Sequence, residues 1–299
     1  MINYKNKTPD EVISSLANEI TSPWGKKINV LHESDAMEAA GALKTGLRQI
    51  YMSALGSGIW PVRYMRNAKS ISAQEQLKLA QSCAAVIGAG GLGANVLMLL
   101  ARMGIGRLNI ADPDVFEESN LNRQLTATNQ TMGMHKSKAA QNMINSVNPA
   151  VAVKTFQIRL TGENAADILS GSDIAIDALD NIAARLALAD ACRLAGIPMI
   201  HGAIAGFEGQ VMTVFPQDQG FEMIYGNIGK DSSQEPSPEA VMGVPGITPA
   251  IIAGLEAMEA VKVLLNRGRG LKNRMLYADL ENTGFQEFSF GTDEDQEES

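Results

Sequence analysis

Cysteine is scarce in this chain: its 299 residues hold two, Cys83 and Cys192, and no Cys-x-x-Cys pair. The three histidines, His32, His135 and His201, are scattered. No tetrahedral N/S ligand set is spaced for a metal, so zinc is not expected. Cys83 opens an apolar strand and Cys192 lies in an apolar helical stretch. Both read as small core residues of a protein in a reducing cytoplasm. Long apolar runs are missing too, since no segment approaches the about 18 residues that a bilayer-spanning helix needs. The opening, Met1-Ile2-Asn3-Tyr4-Lys5-Asn6-Lys7, is polar and leads into no apolar h-region, so a secretory signal is not expected. A basic excess is also absent. The chain carries 25 Lys and Arg against 33 Asp and Glu, a formal net charge of −8, which argues against nucleic acid as the main partner. Five of those acids (Asp293, Glu294, Asp295, Glu297, Glu298) fall in the last seven residues. They read as a solubilising tail, which leaves the body close to neutral.

What remains is an ordinary globular composition, 45% hydrophobic and 19% charged, with enough chain for one large α/β domain and an accessory. Residues 1–62 read as a helical extension. Thr8-Pro9-Asp10-Glu11 starts a short helix with Val12, Ile13, Leu16 and Ile20 on one face, and a second helix is expected over residues 34–54. Gly56-Ser57-Gly58 and Pro61 then break the chain, and Ser72-Ala73-Gln74-Glu75 is a capping box opening another helix. From there strands and helices alternate. Strands are expected at 84–87, 108–111, 151–157, 173–177 and 198–201, and helices at 92–103, 136–147 and 181–195. Strands buried on both faces and alternating with helices predict a doubly wound parallel sheet. Past Gly209 the segments 210–215 and 275–279 read as antiparallel additions, with a helix over 248–265. Residues 217–247, rich in Gly, Pro, Ser and acids, form a long connection of the kind that is functional or disordered. The expected division is thus 1–62, a 63–282 domain, and an acidic tail over 283–299.

The chemistry concentrates at strand ends. Gly88-Ala89-Gly90-Gly91-Leu92-Gly93 lies between a strand and a helix. Gly88 permits the tight turn, Gly90 and Gly91 let backbone approach a phosphate, and Gly93 lets the helix pack on the sheet. Asp112 ends the next strand, where a carboxylate grips ribose hydroxyls, and Asp114 either assists it or merely turns the chain beside Pro113. Asn120, Arg123, Gln124 and Lys136 follow in a polar segment and are candidate donors to a triphosphate. Asp180 stands in Asp177-Ala178-Leu179-Asp180-Asn181, at the end of the strand Ile174-Ala175-Ile176. It reads either as a Mg²⁺ ligand bridging phosphate oxygens or as a helix cap, and Asn181 as a cap that touches nucleotide. An NAD-dependent oxidoreductase would use the glycine loop and Asp112 but leaves Arg123, Lys136 and Asp180 without a task. A nucleotidyl-transferring enzyme uses all of them, because charge builds on the attacked phosphate.

In this order these motifs resemble the MoeB/ThiF/HesA branch of the ubiquitin-activating enzyme superfamily. The resemblance runs from Arg63 to about Leu280 and takes in Arg63-Tyr64-Met65-Arg66, the glycine loop, Asp112-Pro113-Asp114 and Ser119-Asn120-Leu121-Asn122-Arg123-Gln124. It continues through Gly133-Met134-His135-Lys136, Asp177-Ala178-Leu179-Asp180-Asn181, His201-Gly202-Ala203, Gly209-Gln210 and Gly254-Leu255-Glu256-Ala257-Met258-Glu259-Ala260. The resemblance implies a Rossmann-like domain and ATP- and Mg²⁺-dependent adenylation. The substrate would be the C-terminal glycine carboxylate of a ubiquitin-like sulfur carrier, ThiS- or MoaD-like, for thiamine or molybdenum/tungsten cofactor synthesis. By the same resemblance Asp112 holds ribose, Arg123 and Lys136 the phosphates, and Asp180 the Mg²⁺. Arg66 reaches the γ-phosphate in a neighbouring subunit, which implies a homodimer. A small-molecule or tRNA-borne carboxylate is the alternative substrate, the tRNA disfavoured by the acidic balance. Two departures stand out. Where the family often has Cys-x-x-Cys this chain reads Phe221-Glu222-Met223-Ile224-Tyr225, and where many relatives carry a crossover cysteine it reads Glu235-Pro236-Ser237-Pro238-Glu239. The expectation is therefore transfer from the adenylate to an external sulfur donor, without a thioester on this chain.

Overall fold

The computed structural model describes residues 8–218, 220–226 and 238–290. Thr8 caps the first helix, α1 (Pro9–Leu16), by accepting from the Glu11 amide, while the Glu11 carboxylate returns to the Thr8 amide. Val12 and Ile13 of α1 face inward. An antiparallel hairpin follows, β1 (Asn18–Thr21) with β2 (Lys27–Leu31), then α2 (Glu33–Leu43), α3 (Leu47–Gly56) and β3 (Trp60–Pro61), which pairs parallel with β2. The N-terminal unit is thus helical, as the pattern predicts, but it also holds a three-stranded sheet. Ile20 falls on β1 rather than on α1. Four residues of mixed exposure leave too little alternation for a strand to be read from sequence. The helix expected over 34–54 is two helices. Lys44 adopts a left-handed conformation (φ 51°, ψ 45°) that ends α2, and Gly46 opens α3.

The larger unit begins with the Ser72 capping box of α4 (Ala73–Gln81). Its strands and helices alternate as β4 (Cys83–Ile87), α5 (Gly91–Met103), β5 (Arg107–Ala111), α6 (Lys136–Val147), β6 (Ala152–Phe156), α7 (Ala165–Leu169), β7 (Ile174–Asp177), α8 (Ile182–Ala195) and β8 (Met199–Ala205). Every residue of β4 is buried, which its central place demands. The eight-stranded sheet runs β11-β10-β9-β8-β7-β4-β5-β6. The β6 to β8 half is parallel, with Val86 opposite both Ile110 and Ile176. The antiparallel half comprises β9 (Glu208–Val214), β10 (Arg274–Asp279) and β11 (Gly284–Ser289). Between β9 and β10 lie α9 (Gly220–Tyr225), α10 (Pro238–Met242) and α11 (Ile247–Leu265), the last packed on α5 and across β8 and β9. One apolar layer joins α5, α6 and α11 to the sheet, and another joins α7, α8 and α9. The result is the expected doubly wound α/β sheet extended by antiparallel strands. Two details differ from the sequence reading. β11 carries the sheet past residue 282, and α9 and α10 fall within 217–247. Residues 227–237, with Ser232, Ser233 and Ser237, and residues 291–299, with the tail acids, lie outside the described residues.

The two units meet at Asn148. Its buried Nδ2 donates to the Tyr64 hydroxyl and to the Ala101 carbonyl, each at 2.7 Å. Tyr64 sits on the 3₁₀ turn Val62–Asn67 and meets Tyr51 edge-on at 5.9 Å. Beside it, Arg63 donates to the Val147 carbonyl at 2.8 Å and pairs with Glu33. Removing Asn148 strands the buried Tyr64 hydroxyl and leaves the Ala101 carbonyl with the Gly104 amide at 3.2 Å as its donor. Asn148→Ala is therefore expected to lower unfolding free energy by about 2 kcal/mol in urea denaturation. An unchanged midpoint would show that this junction carries no stability.

Candidate functional site

A cleft of about 780 Å³ opens at the C-terminal ends of β4, β5 and β7, the crevice position of open α/β sheets. Gly88 has φ 99°, and a Cβ there would press on the Ala178 carbonyl; one on Gly93 would collide with the Gly88 carbonyl oxygen. Both glycines are thus required by the turn itself. Gly90 and Gly91 line the cleft. No side chain caps the α5 N-terminus, so its leading amides and its positive dipole end are open to a phosphate.

Asp112 is buried at the end of β5. Its Oδ2 accepts the Ala89 amide at 2.7 Å and its Oδ1 the Asp114 amide at 2.8 Å. Burial pushes its pKa up, opposed by those two amides and by Lys136. Asp114 does more than turn the chain, because its Oδ2 takes the Lys136 ammonium at 2.9 Å. Lys136 opens α6 and Arg123 stands across the cleft wall, held by the Ser119 carbonyl and Asn122 Oδ1, both at 2.9 Å. Asn120 Oδ1 accepts the Glu117 amide at 3.1 Å and so shapes the same loop. Gln124 is buried, and its Oε1 has no partner among the described residues.

At the end of β7 the helix cap is Asn181 rather than Asp180. Asn181 Oδ1 accepts the Ala184 amide at 2.9 Å and caps α8, while its Nδ2 reaches Asp180 Oδ1 at 3.3 Å. Asp180 is left exposed on the cleft wall. Thirteen residues were candidates from sequence, and the structure brings eleven of them to the cleft wall: Gly88, Gly90, Gly91, Asp112, Asp114, Asn120, Arg123, Gln124, Lys136, Asp180 and Asn181. Gly93 packs beneath it. Arg66 sits exposed on the turn Val62–Asn67, away from the cleft of its own chain.

A nucleoside triphosphate fits this donor set: open helix amides, two cations and a buried carboxylate. No group of three or more His, Cys, Asp or Glu occurs among the described residues. Mg²⁺ needs no such cage, since one carboxylate plus phosphate oxygens suffices, and Asp180 is free to supply it. Among the described residues no helix is long and apolar enough to cross a membrane.

Beneath the cleft lies a buried polar network that the sequence reading missed. His201 Nδ1 donates to Asp177 Oδ2 at 2.7 Å, and its Nε2 accepts from the Tyr225 hydroxyl at 3.0 Å. Burial pushes the His201 pKa down against the pull of Asp177, so the ring is neutral. Gln210 joins through the same hydroxyl. Glu256 of α11 is fully buried in the space that Gly202 leaves by having no Cβ, and neither of its oxygens has a partner among the described residues. Burial, and then the nearby Asp177, raise its pKa well above the carboxylate range. The available signal was a polar residue in an apolar strand or helix, Asp177, His201 and Glu256 in turn. Residues 158–160 after β6 also line the cleft, as a strand end in a parallel sheet should.

A family model described as the ThiF family matches residues 64–299. The SAMP-activating enzyme E1 of Haloferax volcanii is 35% identical over 238 residues, 78% of this chain and 86% of its own. The sulfur carrier protein adenylyltransferase of Thermus thermophilus is 38% identical over 225 residues, 72% of this chain and 80% of its own. Against the adenylyltransferase and sulfurtransferase MOCS3 of Culex quinquefasciatus identity is 36%, over 75% of this chain and 51% of that protein. Among solved structures, E. coli MccB with ATP superposes with a TM-score of 0.65 at 18% identity, covering 87% of this chain and 79% of its own. That likeness is one of fold, and it reaches beyond the family match into the N-terminal unit.

The Glu256 site makes a pH-dependent prediction. Below the ordinary carboxylate range both folded and unfolded chains hold the proton. As pH rises, the unfolded chain releases it while the folded chain, with its raised pKa, does not, so stability falls. Glu256→Gln removes the titration and keeps the shape. Its advantage over the wild type in urea midpoint should be larger at pH 8 than at pH 4. The same offset at both pH values would mean that Glu256 is ionised in the fold.

Proposed function

The chain belongs to the ThiF family and is an adenylyltransferase. From that premise we propose that it uses ATP and Mg²⁺ to activate the C-terminal glycine carboxylate of a ubiquitin-like sulfur carrier. The observation that carries this reading is one continuous cleft. Its lining joins the phosphate donors with residues 202–204, Glu239, Ala240 and Val244, and its volume of about 780 Å³ leaves room for an acyl chain beside the nucleotide. In the reaction a carboxylate oxygen attacks the α-phosphorus and the bond to pyrophosphate breaks. Such a transfer asks for alignment and charge neutralisation, and for no protein nucleophile.

In this reading Asp112 orients the ribose through a carboxylate already fixed by two amides. The α5 amides and the side chains of Asn120, Gln124 and Asn181 face the nucleotide. Arg123 and Lys136 take up phosphate charge, with Asp114 holding the ammonium in place. Asp180 would hold Mg²⁺, which when bound would supply neutralisation of phosphate charge. Arg66 serves the cleft of a second copy in a homodimer, and sulfur comes from an external donor in the cytoplasm. The sulfur-carrier reading rests on the named relatives above. A tRNA-borne carboxylate is the other reading, because E. coli TcdA, a tRNA N6-threonylcarbamoyladenosine dehydratase, shares the fold (TM-score 0.58, 21% identity). The net charge of −8 offers no basic footprint for it. An oxidoreductase is no longer a candidate, since the named relatives are adenylyltransferases.

ATP–pyrophosphate exchange, assayed with each small carrier protein encoded beside the gene, tests the reading. Exchange that depends on one of them supports it, and exchange with none of them refutes it. Asp180→Ala and Arg123→Ala are each expected to cut that exchange by about a hundredfold or more while leaving circular dichroism unchanged. Near-normal exchange in either folded variant would remove the role given to that residue. Neither thiol is poised to act as a nucleophile. Burial raises the pKa of Cys83 and pushes that of Cys192 up to about 12, and neither lines the cleft. Cys83→Ala and Cys192→Ala should therefore leave exchange within about twofold, with a packing loss on the order of 1 kcal/mol. A carrier–enzyme adduct released by hydroxylamine and absent from the Cys192 variant would reverse that assignment.

A further inference from the structure

Arg185 lies in the first turn of α8, three-dimensionally beneath the Asp180 turn, and its side chain is more than nine-tenths buried. Its Nε and Nη2 both donate to the Leu179 carbonyl, at 3.1 and 2.6 Å. That carbonyl belongs to the peptide immediately before Asp180. The same Nη2 reaches Glu239 Oε1 of α10 at 3.4 Å, and Asp177 Oδ2 lies 4.0 Å from Nε. The guanidinium carbon stands 5.9 Å from the centre of the Tyr225 ring on α9. One side chain thus touches the Asp180 turn, the end of β7 and both helices that flank residues 227–237. Burial disfavours its charge, but Asp177, Tyr225 and Glu239 outweigh that and hold it fully protonated.

The direction of those contacts matters. Glu239 and Ala240 of α10 line the cleft, and so do Leu179 and Asp180 ahead of α8. A planar fork that chelates one carbonyl while pairing with a carboxylate transmits a shift of one to the other. A lysine, whose three donors sit on one rotating nitrogen, would not hold that alignment. We infer that Arg185 is a positioning residue that couples the α10 wall of the cleft to the Asp180 turn. The inference rests on the functional reading above, in which Asp180 holds the Mg²⁺ that accompanies ATP. Because coupling between sites is reciprocal, loosening the Glu239 end weakens the magnesium-dependent part of nucleotide binding even with no acyl substrate present.

Isothermal titration of ATP into the full chain, with Mg²⁺ and separately in EDTA, tests this on Arg185→Gln, Glu239→Gln and the double variant. Each single variant should weaken binding about fivefold to tenfold in Mg²⁺, the lower range of measured couplings, and less than about twofold in EDTA. The double variant should be no weaker than the worse single one, because both act through one link. Equal losses in both buffers, or additive losses in the double variant, would mean that Arg185 only cements the fold and would overturn the inference. If Arg185→Gln does not fold, Glu239→Gln decides alone by its ratio of the two affinities. A wild type whose ATP binding ignores Mg²⁺ sinks the functional reading and this inference together. Magnesium-dependent binding that the variants leave untouched sinks the inference only.

Discussion

The site depends on the Asp112 carboxylate. One oxygen accepts the Ala89 amide inside the glycine loop and the other accepts the Asp114 amide one turn further along. Two segments 23 residues apart in sequence are therefore fixed by a single buried group. Asp114 in turn anchors Lys136 at the head of α6. Loss of this carboxylate would leave the glycine loop with an unpaired buried amide, which costs more than the hydrogen bond it replaced. Preorganisation of the phosphate donors thus begins at a group that itself carries no positive charge.

Beneath that frame the protein tolerates an unusual concentration of buried polar groups. Asp177, His201 and Glu256 are each fully buried, and only a division of labour among them makes this affordable. Asp177 has the Arg185 guanidinium and the His201 N–H as partners. Burial first, and then the nearby Asp177, disfavour a second charge, and the Glu256 pKa is raised well above the carboxylate range. His201 stays neutral because burial disfavours its charge more than the hydrogen bond to Asp177 favours it, and its other nitrogen accepts from Tyr225.

How much of this was legible in the sequence varied with the range of the interaction. The Thr8 and Ser72 capping boxes are three-residue patterns, and both form as their spacing implies. The glycine loop was legible for the same reason, since its turn, close approach and packing are local demands on backbone geometry. Asp180 and Asn181 were legible only as a pair: which of the two caps α8 depends on a side-chain rotamer, and Asn181 takes that place. The small N-terminal sheet was not readable, because β3 contributes two residues and joins β2 across an intervening pair of helices. Nor was the Arg185 hub. Its partners, Tyr225 and Glu239, are brought to it by α9 and α10, and no periodicity in α8 marks an arginine that folds back on its own N-terminal turn.

The departure at residues 221–225 gains a physical account from the same network. Where relatives of this kind often carry a Cys-x-x-Cys pair, the segment here is α9, and rings hold it. Phe221 and Tyr225 are both buried, 4.9 Å apart, and each meets the His201 ring nearly edge-on, at 5.1 and 5.4 Å. Edge-to-face contacts of this kind add to area burial and fix orientation. The Tyr225 hydroxyl supplies the polar anchor, reaching His201 and Gln210 on β8 and β9. Since Arg185 also stands over the Tyr225 ring, the seating of α9 and the geometry of the Asp180 turn are not independent. A chain that fastens this helix with aromatic and hydrogen-bonded contacts ties its crossover segment to the sheet through the nucleotide site's own supports.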